Sequence, residues 1–85
     1  MDLQGDYAAA EALYREAIEI TRNTFGEISV QYGTRTNNLA LAVWSQGREV
    51  EARALFEEAL KIRQRTLPAD HPYIADTLES LSYFE

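Results

Sequence analysis

The fold of this chain is decided by the stretch GDYAAAEALYREAI at Gly5–Ile18, which returns 42 residues later as GREVEARALFEEAL at Gly47–Leu60. Most positions that are identical across this shift carry small or apolar side chains, among them Ala10 and Ala52, Leu13 and Leu55, Ala17 and Ala59, Ile20 and Ile62. A period of this length is typical of a protein that stacks similar helical units. Such a stack presents an extended surface, so the sequence favours binding along that surface over chemistry in a pocket.

Four amphipathic helices are predicted from the spacing of apolar residues, over residues 6–24, 29–46, 48–66 and 72–84 of a single domain that spans residues 1–85. In the first helix the apolar side chains recur at steps of three and four and are expected to face inward. They are Tyr7, Ala10, Leu13, Tyr14, Ala17, Ile18 and Ile20. The third helix repeats the pattern with Val50, Ala52, Leu55, Phe56, Ala59, Leu60 and Ile62. No segment predicts a strand, so the expected fold class is all-α.

The predicted ends of these helices carry residues that suit them. The N-caps are Asp6 and Ser29, the C-terminal stops are Gly26 and Gly47, and Pro72 begins the fourth helix. On the exposed faces, Glu11 with Arg15 and Glu57 with Lys61 have the spacing and the order of favourable ion pairs within a helix.

The composition excludes several classes of function. The formal net charge of −6 and the pI near 4.7 repel nucleic-acid phosphates and anionic lipid, so neither nucleic acid nor a membrane is a predicted partner. There is no cysteine, and His71 is the only histidine, which argues against a metal site. No glycine-rich phosphate loop is present, and no cofactor is expected. A protein or peptide, preferably a basic one, is the favoured partner.

The two ends of the sequence lead to an expectation about location and about completeness. The first residues are acidic and no long apolar run follows them, so we predict neither a signal peptide nor a membrane-spanning helix. A soluble, cytoplasmic protein is therefore expected. The sequence stops at Glu85 within a helical pattern, which we interpret as a fragment of a longer repeat array.

Catalysis is not expected from the residues that usually perform it. His71 follows Asp70, but a lone histidine without a nucleophile or a metal partner is more typical of the turn that begins a helix. The many glutamates alternate with Arg15, Arg53 and Lys61 at helical spacing, which indicates a solvated face. We therefore predict that the chain is not an enzyme.

The spacing within one unit narrows the type of repeat. The string Leu39-Ala40-x2-Val43-x3-Gly47-x4-Ala52-x3-Phe56-x2-Ala59 places alanines where two helices cross, a glycine at their turn and a phenylalanine beside it. This string resembles the tetratricopeptide repeat signature, and the resemblance covers essentially the whole chain. The longer period, with Asn37-Asn38-Leu39-Ala40 and Asp70-His71-Pro72, is similar to the repeats of kinesin light chain. The linker at 26–30 and Pro68 depart from the linkers of that family.

The resemblance implies a right-handed superhelix of antiparallel helices, in which each unit runs helix A, a glycine turn and helix B. Gly5 and Gly47 are expected to mark these turns, so the four helices have the order B–A–B–A. The chain then begins with an unpaired B helix and ends with an unpaired A helix. Each leaves an apolar face uncovered, from which we expect a homo-oligomer or a fragment of a longer array.

The resemblance also implies a binding surface, because in the family the A helices line a concave face that receives peptide segments. Carried over by position, the expected peptide-binding residues are Thr34, Asn37, Asn38, Leu41 and Ser45 in the first A helix and Asp76, Glu79, Ser80 and Tyr83 in the second. Asn38 is the best single candidate, since a carboxamide both donates and accepts hydrogen bonds. The alternative is that Asn37 and Asn38 only face solvent or satisfy a neighbouring helix end. For Trp44, core packing is favoured over a role as a binding anchor.

Two functions from different classes remain open at this point. The first is a non-catalytic scaffold or adaptor module that binds a peptide on the concave face, where Asp76 and Glu79 favour segments carrying Lys or Arg. The second is a structural role in self-association, in which the exposed terminal helices stack or swap between chains.

Overall fold

The computed structural model of the chain describes residues 6–84, and it contains four helices. They are α1 (Tyr7–Phe25), α2 (Val30–Ser45), α3 (Glu49–Thr66) and α4 (Pro72–Ser82). No strand occurs among the described residues, so the predicted all-α class is confirmed. The turn predicted at Gly5 lies outside residues 6–84.

The helices begin at the caps that the sequence indicates. Oδ1 of Asp6 accepts a hydrogen bond from the backbone N–H of Ala9 at 3.1 Å, and Oγ of Ser29 accepts one from Tyr32 at 3.1 Å. His71 caps α4 because its Nδ1 accepts the N–H of Tyr73 at 3.0 Å. The prediction that His71 belongs to a helix-start turn is thus confirmed. Each cap satisfies a backbone donor that the first turn of a helix leaves free.

The turns depend on two glycines with left-handed backbone angles. Gly26 ends α1 and Gly47 lies between α2 and α3, each with a φ of 84°. A side chain at such an angle is strained, so glycine is the residue that suits both positions. The Gly47 turn folds α2 back on α3, and the resulting hairpin is the centre of the structure.

The core lies where α2 crosses α3. Ala40 and Val43 of α2 and Ala52, Phe56 and Ala59 of α3 have no exposed surface. Their small side chains let the two helices approach closely, and Phe56 fills the space near the turn. Burial of a side chain such as Phe56 contributes on the order of 2 kcal/mol relative to leaving it exposed.

α2 and α3 also approach each other closely at Gly33. A Cβ atom at this position would lie 3.1 Å from Cγ2 of Ile62 and 3.2 Å from Cγ of Arg63. Such distances are tighter than ordinary van der Waals contact. The absence of a side chain at Gly33 therefore sets how deeply α2 packs on α3.

Several side chains predicted to face inward are exposed. Leu13 and Ile20 of α1 and Val50 of α3 are the clearest examples. The reason is that α1 packs against α2 but has no second helix on its other apolar side among residues 6–84, while Val50 lies in the first turn of α3. The apolar stripe of α1 is wider than the surface that α2 covers. A second correction concerns Glu57, whose carboxylate pairs with Arg53 at 3.1 Å rather than with Lys61.

A network of charged side chains ties α1 to the start of α3. Arg48 lies 2.7 Å from both Glu11 and Glu51, and Arg15 pairs with the same two carboxylates at 2.8 Å. Gln46 donates a further hydrogen bond to Glu11 at 2.8 Å. These donors, Arg48 first, lower the pKa of Glu11 from 4.5 to about 2. The predicted pair of Glu11 with Arg15 is therefore confirmed as part of a larger network.

Candidate functional site: the groove between α1 and α2

Three of the predicted peptide-binding residues lie together on an open groove with a volume of 250 Å³. We call it the α1–α2 groove, and its walls are formed by Tyr7, Ala10 and Tyr14 of α1 and by Asn38, Leu41 and Ser45 of α2. The spacing explains why these side chains meet. On each helix they are separated by three and four residues, which places them on one face.

The α2 wall combines an apolar side chain with polar groups. Leu41 is exposed, and Asn38 is half-buried. The hydroxyl of Ser45 donates to the backbone carbonyl of Leu41 at 2.9 Å, so it offers the groove an acceptor. The carboxamide of Asn38 supplies both a donor and an acceptor on this wall.

The α1 wall was missed by the sequence analysis, which assigned Tyr7, Ala10 and Tyr14 to the core. Tyr7 is exposed, and the other two are half-buried. The sequence does contain an indication that Tyr14 is not a core residue. Across the 42-residue shift it corresponds to Phe56, which is fully buried. A tyrosine at that position keeps the ring and adds a hydroxyl, as suits a ring that remains partly in water.

Asn37 does not belong to the groove, which corrects its assignment. It is buried between α2 and α4, where its Oδ1 accepts a hydrogen bond from the hydroxyl of Thr77 at 3.1 Å. Thr77 in turn accepts from Nη1 of Arg63 at 2.9 Å, and the same nitrogen donates to the carbonyl of Tyr73 at 2.9 Å. Asn37 therefore satisfies a neighbouring helix, which is the alternative that its sequence position left open.

Arg63 is the centre of this buried cluster. Only 4% of the residue is exposed, and its guanidinium carbon lies 5.0 Å from the centre of the Tyr73 ring. Burial lowers the pKa of Arg63, while the nearby Asp76 carboxylate acts in the opposite direction. The cluster joins α2, α3 and α4, and it fixes the position of α4 relative to α2.

The remaining predicted residues do not line the α1–α2 groove. Thr34 is half-buried on α2. On α4, Asp76 and Glu79 are exposed, and the hydroxyl of Ser80 donates to the carbonyl of Asp76 at 3.2 Å. Tyr83 packs on Trp44. The structure thus places the acidic residues on α4, away from the groove walls.

Trp44 packs in an aromatic cluster, as its predicted core role requires. Its ring centre lies 6.0 Å from that of Phe56 in an edge-on arrangement, 5.4 Å from Tyr83 and 5.3 Å from Phe84. These separations are those of favourable aromatic pairs. The residues after the end of α4 are therefore held against the α2–α3 hairpin.

A second cleft, with a volume of 310 Å³, lies between α1 and α3 and has a different character. Its lining includes Arg15, Glu19, Arg22 and Glu58. Arg15 and Arg22 are already paired with carboxylates in their own surroundings. None of the predicted peptide-binding residues lines this cleft, so the α1–α2 groove remains the better candidate site.

Residues 6–84 contain no cluster of three or more side chains suited to holding a metal ion. Over the same residues, no helix combines the length and the apolar character that a membrane span requires.

The family of this chain was identified by comparison with known proteins and with protein-family models. Neither the curated proteins nor the solved structures contain a match to this chain. The family model described as tetratricopeptide repeat matches residues 2–65 and again residues 34–83, and these two matches cover nearly the whole sequence. Together with the four antiparallel helices and the glycine turn at Gly47, they show that the chain belongs to the tetratricopeptide repeat family.

Proposed function

We propose that the chain is a non-catalytic interaction module that holds a peptide segment of another protein in the α1–α2 groove. Tetratricopeptide repeats generally mediate protein–protein interaction, and they are typically non-catalytic. The observation that carries the proposal is the meeting of Asn38, Leu41 and Ser45 with two tyrosines around one open groove.

Each wall of the groove offers a different kind of contact. Tyr7, Tyr14 and Leu41 present apolar surface for a side chain of the peptide. Asn38 has both a donor and an acceptor, which pair with the N–H and C=O groups of a peptide backbone. A mainly apolar groove with a few polar groups is typical of sites that bind peptides in a defined orientation.

The charge of the chain favours a basic segment. The net charge is −6, and Asp76 and Glu79 are exposed on α4, the second A helix. A segment with lysine or arginine next to its apolar anchor would be attracted to this surface, and the attraction would weaken as salt screens it. We further propose that the repeat is of the 42-residue kinesin-light-chain-like type, that the protein is cytoplasmic and that it needs no cofactor.

A peptide selection tests the groove directly. A random peptide library displayed on phage is selected on the immobilised chain, and the affinities of the selected peptides are then measured for two variants. Leu41→Glu places a charge in the groove, and Leu13→Glu is the matched control because Leu13 is exposed on α1 and does not line the groove. Neither leucine belongs to the buried core, and circular dichroism checks that the helices persist in both variants.

We expect the selected peptides to lose at least about tenfold in affinity for Leu41→Glu and to bind Leu13→Glu as they bind the original chain. Reversing the charges with Asp76→Lys and Glu79→Lys should remove the salt dependence of binding. Peptides that bind Leu41→Glu with unchanged affinity would contradict the groove assignment, and so would a selection that yields no binder.

Self-association is a second candidate function, and one pair of residues favours it. Ile20 and Ile62 are identical and lie 42 residues apart, yet 62% of Ile20 is exposed and only 6% of Ile62. The helix that covers Ile62 is α2, whose Gly33 lies against it. A second copy of the chain would supply the missing cover for Ile20. Sedimentation equilibrium at increasing concentration tests this, and a constant monomer mass would contradict it.

A further inference from the structure

We propose that copies of this chain stack tail to head, with α4 of one copy lying on α1 of the next as α2 lies on α3 within a single copy. The inference rests on the self-association just proposed, and it specifies which faces meet and in which register. Both faces of such a contact are present on each chain, and the 42-residue shift relates them to faces that already pack together.

The exposed face of α4 matches the face of α2 that packs on α3. On α2 this face consists of Gly33, Thr36 and Ala40, which are all buried. The corresponding residues of α4 are Ala75, Leu78 and Ser82, which are all exposed. Thr36 is 2% exposed and its counterpart Leu78 is 48% exposed. In this pair the more apolar residue, Leu78, lies where no helix among residues 6–84 covers it, as expected for a surface that a partner covers.

The exposed face of α1 matches the face of α3 that receives α2. Ala52, Phe56, Ala59 and Ile62 of α3 are all buried. The corresponding residues of α1 are Ala10, Tyr14, Ala17 and Ile20, which are half-buried or exposed. Three of these four positions are identical across the shift. The surface that accepts α2 is therefore repeated on α1, where nothing within residues 6–84 covers it fully.

The polar contact between α2 and α4 becomes a charge pair between α4 of one copy and α2 of the next. Within the chain, Asn37 accepts a hydrogen bond from Thr77, which accepts one from Arg63. Shifted by one repeat, Asn37 becomes Glu79 of the copy that contributes α4, and Thr77 becomes Arg35 of the next copy, which contributes α1. Glu79 and Arg35 are both exposed within one chain. The stacked arrangement brings these two opposite charges together where the single chain has a neutral hydrogen bond.

Tail-to-head contacts are heterologous, so each added copy exposes another unoccupied end. The mass should therefore grow beyond that of a dimer as the concentration rises. The net charge of −6 on each copy opposes this growth, so the measurements belong at about 0.15 M salt or above, where repulsion beyond a Debye length is screened. Screening by salt should strengthen stacking, whereas it should weaken the binding of a basic peptide.

Two end-blocking variants test the arrangement. Ile20→Glu places a charge on the α1 face, and Leu78→Glu places one on the α4 face; both residues are exposed, and circular dichroism checks that the helices persist. Each variant alone should remain a monomer by sedimentation. An equimolar mixture should form a one-to-one dimer that does not grow, because only one pair of competent faces remains. Ala12→Glu is the matched control, because Ala12 and its counterpart Ala54 are both exposed, and it should assemble as the original chain does.

A charge exchange tests the register. Arg35→Glu alone and Glu79→Arg alone should each weaken stacking at least about tenfold, since each sets like charges against each other. The mixture of the two variants should restore it, because every contact between unlike copies then pairs opposite charges.

The outcomes distinguish tail-to-head stacking from self-association in general. A chain that stays monomeric at all concentrations overturns both. A chain that associates but whose mass stops at two copies, or whose association is insensitive to these four substitutions, is self-associating by another face, and the tail-to-head arrangement is then overturned.

Discussion

The two halves of the chain, α1–α2 and α3–α4, are related by the 42-residue shift but join their helices with different polar chemistry. In the second half, Arg63 is enclosed and binds the carbonyl of Tyr73 and the hydroxyl of Thr77. In the first half, the buried residue at the position of Arg63 is Thr21, and the neighbouring Arg22 remains partly in water. Two halves with similar helices thus differ in their arginines: Arg63 is buried, whereas Arg22 remains partly exposed.

The solvated arginine of the first half has more partners but weaker ones. Arg22 donates to the hydroxyl of Tyr32 at 3.0 Å and pairs with Glu19 and Glu27. Arg22 and its two carboxylate partners are partly exposed, so solvent weakens these contacts, whereas Arg63 is buried within its cluster. The comparison indicates that the spacing of the apolar residues defines the repeat. The polar residues determine how much free energy of unfolding is lost when a residue of either half is replaced.

The largest difference between the halves is expected at the aromatic position of α1 and α3. Phe56→Ala removes a fully buried ring and should lower the free energy of unfolding by about 3–5 kcal/mol. Tyr14→Ala, at the corresponding position of α1, should cost clearly less because its ring lines the open groove. Urea unfolding followed by circular dichroism measures both values. Equal losses would show that α1 and α3 are equally covered and would break the comparison.

The next difference concerns the polar clusters themselves. Thr77→Val keeps the shape of the side chain but removes the hydroxyl that links Arg63 to Asn37. Buried groups then lack partners, and stability should fall by about 2 kcal/mol. Arg22→Gln, in the first half, should cost less because water replaces the lost contacts. The same unfolding measurement applies, and a larger loss for Arg22→Gln would reverse the interpretation of the two clusters.

The smallest difference is a dependence on pH. Glu11 has a pKa of about 2 in the folded chain against 4.5 ordinarily, so its contribution is complete above about pH 5 and is lost as the pH falls towards 2. Glu11→Gln should therefore cost about 1 kcal/mol at pH 7, and this deficit should shrink as the pH is lowered. Unfolding measured at several pH values tests the trend.

The matched control for Glu11 lies on α3. Glu57 pairs with the single exposed Arg53, which occupies the position of Glu11 in the second half. Glu57→Gln should change the stability at pH 7 less than Glu11→Gln does. A deficit for Glu11→Gln that stays constant between pH 7 and pH 2 would show that the network of Arg48 and Arg15 does not depend on the charge of Glu11.

Much of the fold was predictable because its signals are local. The caps at Asp6 and Ser29 and the turn at Gly47 each depend on a few neighbouring residues, and the structure confirms all three. The candidate site was predictable only in part. Asn38, Leu41 and Ser45 follow from their spacing on one helix, but the second wall of the groove comes from α1, on residues whose apolar character suggested the core.

The errors share a physical cause. Ile20 has the same pattern as Ile62, and Asn37 is as polar as Asn38, so nothing local distinguishes them. Ile20 is exposed because no helix among residues 6–84 covers it, and Asn37 is buried because the hydroxyl of Thr77 lies 3.1 Å from its Oδ1. Each outcome depends on a neighbour that is distant in sequence.

The all-α repeat follows from the amino-acid sequence alone, because a 42-residue period with small residues at the crossings and glycine at the turn allows helices to stack as similar units. Which copy of each repeated face is covered depends instead on the packing of the folded chain. Coverage depends on which helices are adjacent in space, so identical residues such as Ile20 and Ile62 have different surroundings. Because Ala10 and Tyr14 lie both in the α1–α2 groove and on the uncovered face of α1, a bound peptide and a second copy would compete for this surface.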